Sequence, residues 1–236
     1  MTGPILETRG LSAGYGKKKA VQGIDLRLAH GETLLVLGHN GAGKTTLMRA
    51  IFGLLKPMSG EVFYDGHAIT GRIPARNVAE GIAFVPQGHG IFPSLTVRDN
   101  LELGGFVDAD TAKKKKRIEE IYGMFPILRD RAGQIAGTFS GGQKQMLAIG
   151  LALMHGPRVL ILDEPSIGLA PNLVGRVMES IAEIKARFDA SVIVVEQNIK
   201  YSLPIADRVM VLKTGGVIYE GDPAPLNDHA RLVELF

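Results

Sequence analysis

The sequence TLLVLGHNGAGKT, residues 33–45, joins an apolar run to a glycine-rich loop. The apolar run ends at Gly38, which predicts a buried strand that enters a turn. From Gly38 to Thr45 the loop has the pattern G-x-x-x-x-G-K-[ST] at every fixed position. Residues 45–55 are compatible with a helix, so the loop lies between a strand and a helix. The stretch therefore predicts a phosphate-binding loop in an α/β core.

The glycines of this loop let the backbone curl so that several N–H groups point at one anion. The following helix adds the positive end of its dipole. We expect Lys44 to reach the β- and γ-phosphates of a nucleotide, and the Thr45 hydroxyl to coordinate Mg²⁺. The predicted nucleotide-binding residues of the loop are Gly38, Asn40, Gly41, Ala42, Gly43, Lys44, Thr45 and Thr46.

An acidic pair follows a second apolar run, in the sequence VLILDE of residues 159–164. Ligands bind at the carboxyl ends of the strands in a doubly wound sheet, where this pair would lie. We expect Asp163 to hold Mg²⁺ through water, and Glu164 to polarise the water that attacks the γ-phosphate. The alternative is that the pair caps the next helix, which the nearby phosphate loop makes less favourable.

The remaining apolar segments fit one α/β domain. Short runs that predict further strands lie at residues 61–64, 82–85, 192–195, 209–212 and 217–219. The spacing of Val174, Val177, Met178, Ile181 and Ile184 predicts a helix that crosses between two of these strands. Residues 87–156 show helical periods and few β-branched stretches, which indicates a helical insertion into the α/β core.

Composition excludes several classes of function. The 236 residues include no cysteine, which excludes disulfides, thiolate metal sites and cysteine nucleophiles. The longest nearly apolar run, residues 146–154, is far shorter than the roughly 20 residues of a membrane-spanning helix. No secretory signal is visible, so we expect a soluble protein whose membrane association goes through a partner. The net charge of +3 is too small to predict nucleic-acid binding, and we interpret the basic residues 113–117 as a solvated helix face.

Residues 139–143, FSGGQ, distinguish the chain from other nucleotide-binding proteins. They resemble the LSGGQ signature of ATP-binding cassette (ABC) proteins, with Phe139 in place of the usual leucine. Ser140 and the glycines begin a helix whose amides can bind a phosphate. The resemblance implies that this segment covers the γ-phosphate held by another subunit, so that a dimer encloses two ATP molecules. The residues assigned to this contact are Ser140, Gly141, Gly142 and Gln143.

The resemblance covers essentially the whole chain and implies its fold. That fold is α/β: a P-loop NTPase (ABC ATPase) core with an N-terminal antiparallel β subdomain and an inserted helical subdomain. We expect one domain over residues 1–236. Residues 1–87 and 156–236 would form the catalytic core with its β subdomain, and residues 88–155 the helical subdomain that carries the signature.

Other positions match the family's functional segments. Tyr15 stands where the family stacks an aromatic ring on adenine, although packing alone would also explain it. Gln87 matches the glutamine that contacts Mg²⁺ or water and senses the membrane subunit. Residues 165–169, PSIGL, match the loop that lines the dimer interface. The resemblance thus implies Lys44, Gln87 and Glu164 as catalytic groups.

Two positions depart from the family pattern. Ala170 replaces the usual aspartate of the dimer-interface loop, and Gln197 replaces the usual histidine after the next strand. A glutamine can donate a hydrogen bond to the γ-phosphate but cannot carry a proton's charge. We therefore count Gln197 among the catalytic residues, with no histidine-assisted step.

Several segments are similar to one branch of the family, the second ATP-binding subunit of branched-chain amino acid importers. These segments are residues 91–97, 134–138, 145–150, 166–171 and 196–198. Importers of urea and short-chain amides share much of this pattern, and Leu151 stands where the branch usually has arginine. The resemblance therefore implies an importer of branched-chain or other hydrophobic amino acids, with an importer of urea or short-chain amides as the alternative.

We expect an ATP-hydrolysing subunit at the cytoplasmic face of the membrane. The resemblance implies four kinds of association: a second ATP-binding subunit in a homo- or heterodimer, two permease subunits, indirectly a periplasmic solute-binding protein, and no nucleic acid. Two alternatives remain. One is a soluble ABC ATPase acting on ribosomes or DNA, and the other is a binding subunit that has lost hydrolysis, which Ala170 and Gln197 would favour.

Overall fold

The computed structural model describes residues 3–88, 90–106 and 110–228. Within these ranges the chain forms ten strands and eight α-helices. The strands are β1 (Leu6–Tyr15), β2 (Lys18–Leu28), β3 (Thr33–Leu37), β4 (Ser59–Tyr64), β5 (His67–Ala68), β6 (Ile82–Val85), β7 (Val159–Asp163), β8 (Ser191–Glu196), β9 (Arg208–Lys213) and β10 (Gly216–Gly221). The helices are α1 (Lys44–Phe52), α2 (Pro74–Ala79), α3 (Val97–Gly104), α4 (Thr111–Met124), α5 (Pro126–Asp130), α6 (Gly141–Leu153), α7 (Pro171–Phe188) and α8 (Ile199–Ser202).

The central sheet has six strands in the order β10-β9-β3-β8-β7-β6. All neighbours pair in parallel except β10, which is antiparallel to β9. Strands β3, β7 and β8 are buried along their whole length, as expected for parallel strands covered on both faces. The strands predicted from the apolar runs are therefore confirmed, each within a few residues of its expected limits.

A second sheet is antiparallel, with the order β2-β1-β4-β5, and confirms the predicted N-terminal β subdomain. Its apolar side chains pack with α1 and with one face of the central sheet. Strand β3 alternates between the two faces, as side chains in a strand must. Leu34 and Val36 belong to the core with the antiparallel sheet, whereas Leu35 and Leu37 belong to the core with the helices.

Helices α3 to α7 cover the other face of the central sheet. The five residues whose spacing predicted the crossover helix are the buried residues of α7. Side chains of α3, α4 and α6 belong to the same apolar core as Leu160 and Leu162 of β7. The segment 88–155 thus shares its core with the central sheet, and its division as a subdomain stays a prediction. The predicted outer limits at residues 1 and 236 lie outside the described residues.

The first helix is shorter than the sequence predicted, because it ends at Phe52 rather than at residue 55. Gly53 follows with a φ of 90° and donates its N–H to the Arg49 carbonyl. A β-carbon at this position would lie 2.0 Å from the Arg72 carbonyl oxygen. Gly53 therefore ends the helix in a left-handed conformation that a larger residue could not adopt here.

The basic residues 113–117 lie on α4, which agrees with their interpretation as a helix face. Arg117 pairs with Glu120 and stacks over the Phe188 ring. In the part of the chain that the structure describes, no helix combines the length and apolarity needed to cross a membrane.

Candidate nucleotide-binding site

The loop after β3 depends on glycine at two positions. Gly43, just before α1, has a φ of 104°. A β-carbon there would lie 2.5 Å from Val21 Cγ1 and 2.6 Å from the Ala20 carbonyl oxygen. A β-carbon at Gly38 would lie 2.4 Å from the Leu212 carbonyl oxygen. The loop can therefore curl tightly between β2 and β9 only with glycine at both positions.

Lys44, the first residue of α1, is buried and turned back into the loop. Its ammonium group donates to the carbonyl oxygens of Gly38 at 2.7 Å and His39 at 3.2 Å. The same nitrogen lies 3.6 Å from Glu164 Oε1. The loop backbone and the acidic strand end thus hold one positive charge where the phosphates of a nucleotide would be bound.

Thr45 and Asp163, two of the three predicted metal ligands with Gln87, are in contact. The Thr45 hydroxyl donates to Asp163 Oδ1 at 3.0 Å, at the carboxyl end of β7. Burial raises the pKa of Asp163 above its ordinary value, and the neighbouring Glu164 charge acts in the same direction. The Thr45 hydrogen bond and the charges of Arg49 and Lys44 oppose the increase. The pair offers hard oxygen donors to a small divalent cation.

Glu164 is the point where the predicted catalytic side chains converge. Its Oε2 accepts a hydrogen bond from Gln87 at 3.2 Å, and its Oε1 accepts one from Gln197 at 2.7 Å. Its backbone has a φ of 51° and donates its N–H to the Val195 carbonyl oxygen at 2.9 Å. This left-handed conformation is uncommon for a residue with a side chain and frequently marks a functional site.

A cavity of about 250 Å³ opens over the loop. It is lined by Ala20, Asn40, Gly41, Gly43, Lys44, Thr45, Thr46, Gln87 and Glu164. The structure thus brings most predicted loop residues together with Gln87 and Glu164. Gly38 and Ala42 belong to the same loop but are not among the lining residues. Asp163 and Gln197 reach the cavity through their bonds to Thr45 and Glu164.

The predicted adenine contact and the signature segment do not line this cavity. Tyr15 is 53% exposed, and its hydroxyl accepts a hydrogen bond from Arg49 at 3.3 Å. Ser140 is exposed at the N-terminus of α6, where its side chain and that of Gln143 form a capping box. A β-carbon at Gly142 would lie 2.9 Å from Leu173 Cδ1, so the Leu173 side chain would have to shift. The signature segment therefore lies at an exposed, capped helix N-terminus, apart from the residues that line the cavity.

Two residues near the site were assigned no role from the sequence. Ala20 lines the cavity from β2, which its surroundings in the sequence do not indicate. Glu196 is buried at the end of β8 and bonds to the backbone of Ser166, Gln197 and Asn198. The sequence contains a signal that could have identified Glu196, because this residue follows an apolar run in the same way that Asp163 does.

A glycine loop with a buried lysine, set between a parallel strand and a helix and facing an acidic strand end, defines a P-loop nucleotide-binding protein. The family model described as ABC transporter matches residues 21–167. The chain belongs to the ABC transporter family. It is an ATP-binding cassette and an ATPase, which confirms the predicted class and enzyme activity.

Relatives with similarity over nearly the whole chain agree with this assignment. A high-affinity branched-chain amino acid transport ATP-binding protein of Pseudomonas aeruginosa, BraG, is 39% identical, with 96% of each chain covered. A probable branched-chain amino acid transport ATP-binding protein of Archaeoglobus fulgidus, LivF, is 35% identical, with 98% of each chain covered.

Solved structures agree as well. The ADP conformation of an ATP-binding cassette of an ABC transporter is 27% identical, with 98% of each chain covered and a TM-score of 0.84. A dimeric bacterial ABC transporter cassette is 25% identical, with a TM-score of 0.81 over 92% of this chain and 98% of that one. The predicted fold is therefore confirmed.

Proposed function

We propose that this chain is the ATP-hydrolysing subunit of an importer for branched-chain amino acids. It would act with a second ATP-binding subunit, two permease subunits and, indirectly, a periplasmic solute-binding protein, at the cytoplasmic face of the membrane. The support is the similarity to BraG and LivF over nearly the full chain. A methionine import ATP-binding protein of Carboxydothermus hydrogenoformans is also 34% identical over 215 residues. The residues that select the solute would therefore lie in other subunits.

The phosphate loop would bind the triphosphate of ATP. Backbone amides of the loop and the N-terminus of α1 are directed at one site, and Lys44 supplies the positive charge. On nucleotide binding, the Lys44 ammonium would exchange its bonds to the carbonyl oxygens of Gly38 and His39 for phosphate oxygens. Tyr15, which is 53% exposed, would stack on the adenine ring.

The metal would be held by Thr45, Asp163 and Gln87, all of which carry oxygen donors. In the described residues, no cluster of three or more His, Asp or Glu side chains could hold a metal alone. One carboxylate with a hydroxyl and an amide oxygen suits Mg²⁺, which keeps waters and shares its coordination between one or two carboxylates and the substrate's phosphates. When bound, Mg²⁺ would neutralise negative charge that develops on the phosphates.

Hydrolysis would depend on Glu164, and the convergence of Gln87, Gln197 and Lys44 on its carboxylate carries this proposal. The two amides fix the orientation of the carboxylate, so that one oxygen can accept the proton of an attacking water. Gln197 replaces a histidine yet reaches Glu164 at 2.7 Å, so hydrogen bonding alone can serve at this position. The intact acid and its partners favour an active ATPase over a subunit that only binds nucleotide.

The second nucleotide contact would come from the partner subunit's signature segment, in a dimer that encloses two ATP molecules. Ser140 and Gly142 stand at the open N-terminus of a 13-residue helix, where amides can bind a phosphate. Ala170 at the start of α7 makes no side-chain cap, so the loop of residues 165–169 is shaped by other contacts. The partner would be a different ATP-binding subunit, as the importer branch pairs two kinds.

Two measurements, made one after the other, test this proposal. Phosphate release by the purified chain with Mg-ATP separates an ATPase from a subunit that only binds nucleotide. The chain is then reconstituted in liposomes with its permeases and binding protein, and uptake of labelled leucine is compared with that of methionine and urea. We expect ATP-dependent leucine uptake well above the other two. Urea uptake instead would assign the chain to the amide importers, and nucleic-acid stimulation without permease stimulation would contradict a transport role.

A further inference from the structure

Glu196 is an almost fully buried carboxylate, 2% exposed, for which the nucleotide site has no direct use. It stands at the end of β8, and it is not among the residues that line the cavity over the phosphate loop. None of the ion pairs formed by the described residues includes it. A buried charge without a cation is costly, and its retention requires strong hydrogen bonds.

Those hydrogen bonds come from backbone amides of two separate segments. Glu196 Oε1 accepts from the Ser166 N–H at 2.9 Å, across 30 positions of the sequence. Glu196 Oε2 accepts from the Gln197 N–H at 3.1 Å and, at 3.5 Å, from the Asn198 N–H. One carboxylate therefore joins the loop after Glu164 to the segment that carries Gln197.

Both segments lead back to Glu164. The Gln197 amide group donates to Glu164 Oε1 at 2.7 Å and to Asn40 Oδ1 at 2.8 Å. On the other side, Ser166 lies two positions after Glu164, and the Ile167 N–H bonds to the Glu164 carbonyl at 3.2 Å. Glu196 thus closes a ring of contacts that surrounds the acid on which hydrolysis would depend.

We propose that Glu196 is a positioning residue for ATP hydrolysis, which holds Gln197 and the loop of residues 165–169 in one arrangement around Glu164. The proposal rests on the hydrolytic roles proposed for Glu164 and Gln197. Because Glu196 is buried and does not line the cavity, it would act through Gln197 and the loop rather than on the nucleotide itself. Because residues 165–169 are also the proposed dimer-interface loop, Glu196 connects the state of that interface to the orientation of Gln197.

The electrostatics of Glu196 reflect the same contacts. Burial raises the pKa of Glu196 above its ordinary value, while bonds from Ser166, Gln197 and Asn198 oppose the increase. The amides therefore recover part of the cost of burying the charge. If the Glu196 carboxyl were protonated or replaced by an amide, one of its two hydrogen-bond acceptors would become a donor. That donor would face a backbone N–H, which is also a donor.

The test is a double-mutant cycle between Glu196→Gln and Gln197→Ala, measured by phosphate release. We expect Glu196→Gln to lower kcat about 10-fold, because one backbone N–H loses its acceptor, while KM for ATP changes less than about 2-fold. The double variant should be little slower than Gln197→Ala alone, since both changes disturb the same group. Asp207→Asn is the matched control, because Asp207 also accepts a backbone amide but lies at the opposite end of the sheet.

A second readout does not depend on activity. Hydrogen exchange at the amides of Ser166 and Gln197 should be faster in Glu196→Gln than in the unsubstituted chain. If the Glu196→Gln variant melts at a lower temperature than the unsubstituted chain, the measurements are made on Glu196→Asp instead. The shorter aspartate side chain keeps the charge but cannot reach both segments.

The outcomes separate this proposal from the proposed function. Unchanged kcat in Glu196→Gln, additive losses in the cycle, or unchanged exchange at both amides would overturn the positioning role. If the unsubstituted chain releases no phosphate, the proposed function fails, and the exchange measurement alone decides whether Glu196 ties the two segments together.

Discussion

The carboxylates at the two ends of the central sheet differ in their burial and in their partners. At the carboxyl ends of the strands, Asp163, Glu164 and Glu196 are all buried. Among the described residues, only Lys44 forms an ion pair with any of them. At the amino ends, Asp207 pairs with Lys185 at 2.7 Å and also accepts the Thr33 N–H. Glu32 pairs there with Arg208 at 2.6 Å.

The pKa shifts follow this difference. Burial raises the pKa of both Asp163 and Glu196. Partial burial would also raise the pKa of Asp207, but its bonds to Lys185 and Thr33 outweigh that effect and lower it. The amino end therefore pairs its carboxylates with cations, whereas at the carboxyl end burial outweighs the hydrogen bonds of Asp163 and Glu196. Shifted pKa values of this kind cluster at functional sites.

The largest expected effect is at the acid itself. Glu164→Gln should lower the rate of phosphate release about 100-fold or more, because an amide cannot accept a proton from the attacking water. ATP binding should persist, and size-exclusion chromatography with ATP should reveal a trapped dimer. Glu32→Gln, at the other end of the sheet, is the control and should hydrolyse ATP normally. A Glu164→Gln variant with a near-normal rate would remove Glu164 from the role of base.

Glycines at the two ends of the central sheet also differ, in how closely other atoms pack around them. Gly43→Ala combines a φ of 104° with a β-carbon 2.5 Å from Val21 Cγ1. We expect a cost of about 2 kcal/mol or more in the loop, which would weaken binding of a fluorescent ATP analogue about 30-fold. Gly31→Ala, at the amino end, has a φ of 65° and no heavy atom of the described chain within 4 Å of its added carbon. It should leave nucleotide affinity unchanged, and equal losses in both variants would contradict a special role for the loop.

A smaller effect is expected at Gln197. Gln197→Ala removes the 2.7 Å bond to Glu164 and should lower kcat about 10-fold, the value of one hydrogen bond to a charged group. Gln197→His restores a donor and should retain much of the rate. Steady-state phosphate release compares the three chains. Equal rates in all of them would mean that this position takes no part in catalysis.

The sequence predicted the elements of the fold and the carboxyl-end residues because both have local signals. Residues 33–45 contain their strand, their loop and the start of their helix in one segment, and Asp163 follows directly on an apolar run. The antiparallel subdomain and the signature segment came from resemblance to a family. The end of α1 was misplaced because the constraint on Gly53 comes from Arg72, which is distant in sequence.

The contacts between the site's segments could not be predicted in this way. The bond from Ser166 to Glu196 spans 30 positions, and the bond from Gln197 to Asn40 spans 157. Such pairings depend on the order of strands in the sheet, where β8 lies between β3 and β7. Glu196 had the same local signal as Asp163, but only the assembled sheet assigns it partners.

The smallest expected effect is at Asp207, and it concerns stability rather than turnover. The pKa of Asp207 is lowered in the folded chain, so its charged form stabilises the fold above the unfolded value of 3.8. In Asp207→Asn the amide side chain would keep an oxygen for the Thr33 N–H but lose the attraction to Lys185. Because the Asp207 side chain is 48% exposed, this substitution should lower the free energy of unfolding by about 1 kcal/mol or less at neutral pH.

This difference between Asp207→Asn and the unsubstituted chain should be complete above about pH 5. It should shrink as the pH falls through 3.8 towards the lower folded pKa, where both states bind the proton. Urea unfolding at a series of pH values measures it, with phosphate release at neutral pH as the second readout. A stability difference that stays constant with pH would assign the effect to packing instead of charge. A loss of ATPase activity would mean that the amino end of the sheet is not independent of the site, and the contrast between the two ends would then fail.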